Sequence, residues 1–364
     1  MLRRAILLLL FAFVAVGFAI TDVQAAQRTF VSSTGVDNLN CSLASPCRTL
    51  GAAVTAVNGG GEVIALDSGG YGPVTINKSV MLIASPGVYA GITVFSGDGI
   101  TVNAPGAAVV VRGFSIVGLG GLFGINFQQA ASLLVESVAI SNMRASGIVH
   151  SAAGGALTVR DTTLRGNGGS GVHVTAAGAT VVINRANAEQ NVLHGLYIAS
   201  AGGEATATIA EGVFGGNGAN GVWVDDAAGS TTRLQIERSV MAENGNDGLL
   251  ASCHAGGKVQ VTVTRNAIHH NLSSGVEFTH QFGCGLGSAR GQVTENLISS
   301  NGVNAILGDG GSVAGGVQIF AGLNTLSDEH FHALHQLNQA QFFSHSTNMG
   351  ENSVTGTISP ISTF

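Results

Sequence analysis

The sequence predicts an all-β fold in which one chain winds into a parallel solenoid of about ten turns. Asparagine recurs at intervals of 24 to 30 residues through the middle and second half of the chain. Glycine follows most of these asparagines four positions later, and an aliphatic residue comes directly after the glycine. Glycine is abundant, at 54 of 364 residues, and proline is scarce, at 5, which favours many short strands joined by tight turns.

Each repeat is too short, and too rich in Gly, Asn, Thr and Val, to contain a helical crossover between parallel strands. The remaining arrangement pairs each strand with its copy one turn later, about 4.8 Å along the axis. Aliphatic side chains then stack inside, and the asparagine amides are expected to form a hydrogen-bonded ladder. The repeat asparagines are Asn142, Asn167, Asn191, Asn217, Asn244, Asn271 and Asn301.

The first 25 residues are predicted to be a secretory signal peptide. Arg3 and Arg4 precede an apolar run of 16 residues, small residues follow, and cleavage is expected after Ala25 or Ala26. The run is shorter than the ~20 residues that span a bilayer, which disfavours the alternative of a retained membrane anchor. No later segment is predicted to cross a membrane, and we expect a secreted or periplasmic protein.

Charge and cysteine content limit the partners. Only 10% of residues are charged, with a net charge of -6, so no basic patch is expected and nucleic acid is excluded as a partner. An even number of cysteines in an exported chain predicts two disulfides, which we assign as Cys41–Cys47 and Cys253–Cys284. Their spacings do not resemble a zinc site, and no metal is predicted.

The segment TFVSSTGVDNLNCSLASPCRTLGAAVTAVNGGGEVIALDSGGYGPVTI resembles the start of secreted bacterial right-handed parallel β-helix proteins of the pectate-lyase-like superfamily. The resemblance covers nearly all of the chain after the signal peptide. It implies a right-handed β-helix whose N-terminal end is closed by a short helix over residues 46–57. Because the superfamily contains lyases, hydrolases, esterases, epimerases and non-catalytic adhesins, the resemblance implies no single activity.

A solenoid must shield its stacked core at both ends. In SDEHFHALHQLNQAQFF, residues 327–343, Ser327 suits a helix N-cap and an apolar face would form from Phe331, Leu334 and Leu337, so a helical cap is predicted. The predicted organisation is a signal peptide (1–25), an N-terminal strand with a capping helix (26–62), the β-helix (63–326) and a C-terminal cap (327–364).

The only tryptophan, Trp223, falls in one copy of the strand that follows the repeat asparagine. Its side chain is expected to point outward, and the matched positions of the two preceding turns are His173 and Tyr197. A flat strip of aromatic rings suits the apolar faces of sugars, so these three residues are predicted to bind substrate. The alternative is that other side chains, such as Phe342 and Phe343, cover the strip.

A second column lies six positions before the repeat asparagines and is charged in every copy. Stacked one turn apart, its opposite charges would pair as a salt-bridge ladder. The alternative is that the like-charged neighbours Glu136 and Asp161 act as an acid–base pair with separated pKa values. The column consists of Glu136, Asp161, Arg185, Glu211, Arg238, Arg265 and Glu295.

No described active site of the superfamily is complete in this sequence. VWVDD resembles the vWIDH segment of pectate lyases, with Asp226 in place of the histidine, but their Arg-x-Pro-x-x-Arg motif is absent. Of the polygalacturonase motifs only the aspartate pair is present, and the methylesterase and epimerase motifs are missing. The catalytic candidates are therefore Asp225, Asp226 and Glu277. For β-elimination, the nearest basic residues by repeat position are Lys258 and Arg233.

Two functions remain open. The missing motifs and scarce basic residues favour a secreted carbohydrate-binding or surface-structural protein without turnover, which uses the aromatic residues. The alternative is a polysaccharide-degrading enzyme of the superfamily, either a lyase or a glycoside hydrolase. The expected partner is a polysaccharide or a cell-surface glycan in both cases. No cofactor is predicted, and calcium stays open as an alternative that no motif supports.

Overall fold

The computed structural model describes residues 26–360 except 201, 227–228, 255, 281–283, 285–287, 312–315, 329, 345–346 and 351–353. The predicted signal peptide, 1–25, lies outside the described residues. Within them, regular structure is almost entirely β, and the single helix is Leu50–Ala56. No described helix has the length and hydropathy to cross a membrane.

The strands form three parallel sheets, which the chain visits in the same order on each turn. Within the described residues, sheet 1 has 14 strands: Ala26–Val31, Val57–Ala65, Val80–Ala84, Ala108–Arg112, Ser132–Glu136, Ala156–Arg160, Thr180–Asn184, Glu204–Ala210, Thr231–Glu237, Lys258–Thr264, Ala289–Thr294, Val317–Gly322, Gln341–Ser344 and Ile358–Pro360. Sheet 2 has 12 strands in the same part of the chain: Gly69–Gly70, Ala90–Val94, Phe114–Gly118, Ala139–Ser141, Thr163–Arg165, Asn187–Glu189, Val213–Gly215, Val240–Ala242, Ala267–His269, Leu297–Ser299, Thr325–Ser327 and Met349–Gly350. Sheet 3 likewise has 12 described strands: Val74–Ile76, Ile100–Asn103, Ile125–Gln129, Ile148–His150, Val172–Val174, Leu196–Ile198, Val222–Asp226, Leu249–Cys253, Val276–His280, Asn304–Asp309, His332–Leu337 and Val354–Thr355.

The core is a stack of aliphatic side chains from all three sheets. Val172 pairs in register with Leu196, and Leu196 with Val222, and all three are buried. Burying one such side chain stabilises the fold by roughly 1.5–3 kcal/mol, so repetition through the stack supplies most of the stability. The predicted all-β parallel solenoid of about ten turns is confirmed, and short pairings at both ends lengthen the sheets further.

The asparagine ladder forms at the corner between sheets 2 and 3. In this ladder, the Nδ2 group of each asparagine donates to the Oδ1 atom of the asparagine one turn later, at 2.8–3.1 Å. The ladder consists of Asn167, Asn191, Asn217, Asn244, Asn271 and Asn301. The assignment of Asn142 to this column was wrong. Ser141 pairs with Arg165, so Met143 takes the ladder position and donates its backbone N–H to Asn167. The register to the next turn is the same before and after this corner, so Asn142 lies one position ahead of the ladder, opposite Gly166.

Glycine is required beside this ladder because adjacent turns approach closely. A Cβ on Gly195 would lie 2.7 Å from the backbone oxygen of Gly221, and a Cβ on Gly221 would lie 2.7 Å from that of Gly248. Any side chain at these positions would collide with backbone of the next turn.

The charged column lies at the corner between sheets 1 and 2, where its residues adopt the left-handed conformation. Salt bridges join Arg185 to Asp161 at 2.7 Å and Arg265 to Glu295 at 3.6 Å, which confirms the ladder. Glu136 was assigned wrongly, because it pairs in register with Arg160 and not with Asp161. Glu136 also contacts two arginines, so the proposed acid pair with Asp161 is wrong.

The N-terminal helix is shorter than predicted, and Thr49 caps it by accepting a hydrogen bond from the Ala52 N–H. The predicted helix over 327–343 is wrong, since His332–Leu337 and Gln341–Ser344 are strands. Leu334 and Phe342 point into the solenoid core, so pairing with the preceding turn overrides local helix propensity.

Both predicted disulfides are present, Cys41–Cys47 and Cys253–Cys284. The first closes the turn beside the N-terminal strand, where Cys47 bridges to Val31. The second links the end of a sheet 3 strand to the segment that follows the next sheet 3 strand. Each therefore fixes a connection outside the repeating strands.

Candidate functional site

The outer face of sheet 3 carries an aromatic column formed by His173, Tyr197 and Trp223. Val222 and Val224 point into the core with no exposed surface, so the residue between them must point outward. The three rings stack on one another, with centroids 4.9 Å apart for the first pair and 4.5 Å for the second. The structure therefore brings the predicted residues together on one face.

Stacking changes how this column can contact a ligand. The planes of Tyr197 and Trp223 lie only 20° apart, so each ring covers a face of its neighbour. The column consequently presents ring edges and polar atoms to solvent, where a platform of open faces was expected. Neither predicted covering residue lies over it: Phe342 is buried in the core, and Phe343 stacks on Phe320 of sheet 1.

A histidine from the adjoining corner supports the column from the side. His194 packs against Tyr197 and Trp223, with ring centroids 5.3 and 5.0 Å away. Burial lowers the pKa of His194 to about 4, with a smaller contribution from His173. Both histidines are therefore neutral at physiological pH, since burial also lowers the pKa of His173.

Asp225 anchors a hydrogen-bond network beside the column. Ser252 donates to its Oδ1 at 2.9 Å, and the Tyr197 hydroxyl donates to its Oδ2 at 3.3 Å. The Trp223 indole N–H donates to Ser252 at 2.9 Å, and His254 Nδ1 lies 3.4 Å from Oδ1. Burial and the charge of Asp225 raise the pKa of Tyr197 to about 12, so the phenol remains a donor. The network fixes the orientation of both aromatic rings.

Asp226 has a different environment from Asp225. It is a strand residue with no exposed surface. Its carboxylate accepts from the Ser230 hydroxyl and, at 2.7 Å, from the Lys258 backbone N–H. Burial raises the pKa of Asp226. These contacts give it a structural role in joining sheet 3 to sheet 1.

Glu277 lies two turns above Trp223 in the same outward column, separated from it by Leu250. Burial, followed by the charges of Asp247 and Asp309, raises the pKa of Glu277 to about 8. Burial also raises the pKa of Asp247, whose Oδ1 accepts the Ser274 N–H at 2.8 Å. A carboxyl that keeps its proton at neutral pH can donate it, which is the property of a general acid.

This face contains acids without basic side chains. The described strands of sheet 3 include Asp225, Glu277 and Asp309 but no lysine or arginine. The two basic residues considered for β-elimination, Lys258 and Arg233, lie on sheet 1 instead. Carboxylates on a bound ligand would therefore meet like charge here.

Within the described residues, one group has the composition of a metal site: Cys253, His280 and Cys284. Both cysteines are joined in the disulfide, so neither sulfur is available as the thiolate that metal binding requires. His280 is buried against this bond and packs next to the core.

Sequence reasoning missed His194, Asp247, Ser252 and His254. A signal existed for the first two, because the position before the repeat glycine is polar in every copy from the second onward. This column contains Ser170, His194, Asn220, Asp247, Ser274 and Asn304. Ser252 and His254 follow no comparable repeat, and only the fold shows that they adjoin Asp225.

Comparison with known proteins agrees with this architecture. Residues 62–214 match the family model described as the right-handed β-helix region. Pectate lyase Pel9A is similar over 86% of this chain and 78% of its own, with 17% identity and a TM-score of 0.56. The A-module of the Azotobacter vinelandii mannuronan C-5 epimerase AlgE6 is similar over 84% of this chain and 92% of its own, with 19% identity and a TM-score of 0.63.

A third similar structure is the GH136 lacto-N-biosidase from Eubacterium ramulus, at 12% identity and a TM-score of 0.51. It matches over 92% of this chain and 68% of its own. No curated protein sequence matches the chain. At these identities the likeness concerns the fold alone.

Proposed function

We propose that this chain, a right-handed parallel β-helix protein, is exported and binds a carbohydrate polymer along the outer face of sheet 3. The observation that carries the proposal is the network around Asp225, which holds Tyr197 and Trp223 with their edges toward solvent. Carboxylate, hydroxyl and ring edges in fixed positions suit the mixed polar and apolar surface of a sugar. A rigid sheet face favours affinity, because its side chains lose little conformational entropy when a ligand binds.

The charge of the outer face of sheet 3 limits the class of glycan that can bind there. Asp225 and Asp309 on this face would repel a uronate chain, whereas neutral sugars meet no such penalty. Among the similar structures, the lacto-N-biosidase is named for a neutral sugar and the mannuronan epimerase for a uronate polymer, so the choice of ligand depends on the charge of this face. We therefore propose a neutral glycan as the ligand of this face.

A second candidate function, glycan cleavage, is favoured by Glu277. Its pKa of about 8 leaves it protonated at neutral pH, as a general acid for a leaving sugar oxygen must be. Asp225 lies on the same face, and its carboxyl oxygens accept hydrogen bonds from Ser252 and Tyr197. Acid and base roles in glycoside hydrolysis require two such carboxyls in different environments.

The test is a titration of the full chain with neutral and uronate oligosaccharides, followed by emission of the single tryptophan. We expect a saturable change with a neutral glycan, weakened about tenfold or more in Asp225→Asn, because the network that orients Tyr197 and Trp223 loses an acceptor. Glu237→Gln on sheet 1 is the matched control and should bind normally. If no glycan changes the emission, or if Asp225→Asn binds as well as the unsubstituted chain, the proposal fails.

The same samples separate binding from turnover. New reducing ends formed by the unsubstituted chain, and absent with Glu277→Gln, would establish the second candidate. Saturable binding without new reducing ends would support the non-catalytic function.

A further inference from the structure

A buried histidine faces the second disulfide at the end of two neighbouring sheet 3 strands. Cys253 and His280 are the last residues of their strands and pair in register, and Cys284 is the other half of the disulfide. All three residues are buried, and only 3% of His280 is exposed. One ring nitrogen and the two sulfur atoms lie within 4.8 Å of one another. The imidazole therefore lies beside both sulfur atoms, away from solvent.

His280 differs from the other buried histidines in its hydrogen bonding. Neither of its ring nitrogens has a hydrogen-bond partner among the described residues. By contrast, His150 Nε2 lies 3.1 Å from the Gly155 carbonyl oxygen. His194 Nδ1 likewise accepts the Asn220 N–H at 3.2 Å. Because burying an unpaired polar group costs free energy, the His280 ring is expected to serve a partner that hydrogen bonding within the described chain does not supply.

Two glycines of the following turn leave space for this ring. A Cβ on Gly316 would lie 2.4 Å from the His280 ring and 2.9 Å from its Nε2. A Cβ on Gly311 would lie 3.2 Å from its Nδ1. A larger residue at Gly316 would collide with the ring, so the next turn is fitted to a histidine at this position. Glycine also offers neither nitrogen a side-chain partner.

We infer that Cys253, Cys284 and His280 form a metal site when the disulfide is reduced, and that the metal is Cu(I). Two thiolates and one imidazole are a soft ligand set, which favours Cu(I) or Zn²⁺ over harder ions. Structural Zn²⁺ sites use four protein ligands, whereas this group within the described chain supplies three, a number that suits trigonal copper. Bonds of about 2.0–2.3 Å to one ion hold its ligand atoms within about 4.6 Å of one another. The separation present is close to that limit.

The site exists only in the reduced protein. Reduction requires a two-electron donor of the dithiol class, which is oxidised to a disulfide while the Cys253–Cys284 bond breaks and each sulfur gains a proton. When Cu(I) binds, both thiol protons leave to solvent, the sulfurs bind as thiolates, and His280 binds through one neutral ring nitrogen. No further electron is transferred. The disulfide and the metal are therefore alternative cross-links between the same two segments.

The test measures Cu(I) binding to the full chain after anaerobic reduction with dithiothreitol and removal of this reductant by gel filtration. A thiol count verifies reduction, and competition with bicinchoninate, a coloured Cu(I) chelator, gives the affinity and the stoichiometry. We expect one tightly bound Cu(I) per reduced chain and none in the oxidised chain. X-ray absorption should show two sulfur ligands and one nitrogen ligand.

Three variants separate this site from general thiol binding. His280→Leu keeps both thiols and should weaken Cu(I) binding about tenfold or more, since loss of even an outer-shell partner of a metal ligand costs about 10–100-fold. Cys253→Ser with Cys284→Ser should abolish binding. Cys41→Ser with Cys47→Ser is the matched control, because it removes the thiol pair that belongs to no metal-ligating group in the described chain. This control should bind Cu(I) as the unsubstituted chain does.

Equal losses in the two cysteine double variants would show that any thiol pair binds Cu(I) and would overturn the site. Unchanged affinity in His280→Leu would overturn it as well, as would a Cys253–Cys284 bond that resists dithiothreitol in the folded chain. Displacement of Cu(I) by added Zn²⁺ would contradict the assignment of the metal. Far-UV circular dichroism should be unchanged by reduction and by each substitution. Loss of the β spectrum on reduction would overturn the site, because the site requires the folded register of Cys253 and His280.

Discussion

The outer faces of sheets 1 and 3 rest on the same core but satisfy their charges in opposite ways. On sheet 1, exposed arginines pair with acids from neighbouring strands, as Arg112 and Arg160 do with Glu136. On sheet 3, acids lie beside aromatic rings and other acids, without any lysine or arginine on the described strands. Burial and like charge raise the pKa of Glu277 there to about 8.

The difference shows that the fold of a solenoid hardly restricts which residue types occupy its outward positions. Inward residues repeat because each must fill the same space, whereas outward residues are constrained only by their stacked neighbours. Paired charges on sheet 1 maintain solubility and add little energy. Partly buried acids on sheet 3, such as Glu277, cost stability, and such costs are typical of functional surfaces.

The largest expected effect comes from removing Trp223, the largest ring of the aromatic column on sheet 3. Trp223→Ala should destabilise the protein by about 2–4 kcal/mol, because it removes the stacking with Tyr197 and the bond to Ser252. Phe320→Ala on sheet 1 should cost about 1 kcal/mol or less, because that ring is 43% exposed. Urea unfolding of both variants measures the difference. Equal losses in the free energy of unfolding would mean that Trp223 and Phe320 contribute equally to stability, which would contradict the difference expected between the two sheets.

The next effect is a pH dependence confined to sheet 3. A carboxyl with a folded pKa of about 8 retains its proton where the unfolded chain, with a pKa of about 4.3, has lost it. The contribution of Glu277 is therefore fully present below the unfolded pKa and is lost as pH rises through 8. Glu277→Gln should raise the free energy of unfolding at pH 8 by about 1–3 kcal/mol, with little change near pH 4.5.

The informative window is about pH 6.5 to 8. Burial lowers the pKa of His150 and His194 to about 4, so both make stability rise with pH up to the unfolded histidine value of about 6.5. Above that pH, only the acids with raised pKa values still make stability depend on pH. As pH rises further, the free energy of unfolding should therefore fall in the unsubstituted chain and fall less in Glu277→Gln. Glu136→Gln is the control from sheet 1 and should keep the original slope. If the free energy of unfolding falls with pH equally steeply in Glu277→Gln, Glu277 does not carry the proton that titrates in this window.

The repeat carried most of what the sequence could predict. Regular spacing of core residues identified the solenoid, and the same register placed His173, Tyr197 and Trp223 on one face. The first copy was counted from Asn142, which lies one position ahead of the ladder, so Asn142 and Glu136 were misplaced. Counting from the glycine would have corrected this.

The remaining errors concern contacts that no local pattern encodes. The segment with Leu334 and Phe342 has an apolar pattern that fits either a helix or a strand, and only pairing with the preceding turn decides between them. Asp226 was a catalytic candidate beside Asp225, but the structure places it inside, next to Ser230. The pair of Asp247 and Glu277 comes from different turns and different positions of the repeat. Its proximity follows from the corner geometry.

The smallest expected effect lies in the salt bridges of sheet 1. Arg112 contacts Glu136 at 2.5 Å, and their side chains are 46% and 17% exposed, so solvent screens much of the attraction. A double-mutant cycle of Arg112→Gln and Glu136→Gln, measured by urea unfolding, should give a coupling of about 0.2–1 kcal/mol that decreases in high salt. Arg160 also contacts Glu136, at 3.4 Å, and should keep the cost of Arg112→Gln alone below that of Glu136→Gln. A coupling above about 2 kcal/mol would show that sheet 1 depends on its charges as strongly as sheet 3 depends on its network, because only buried charged pairs reach that size.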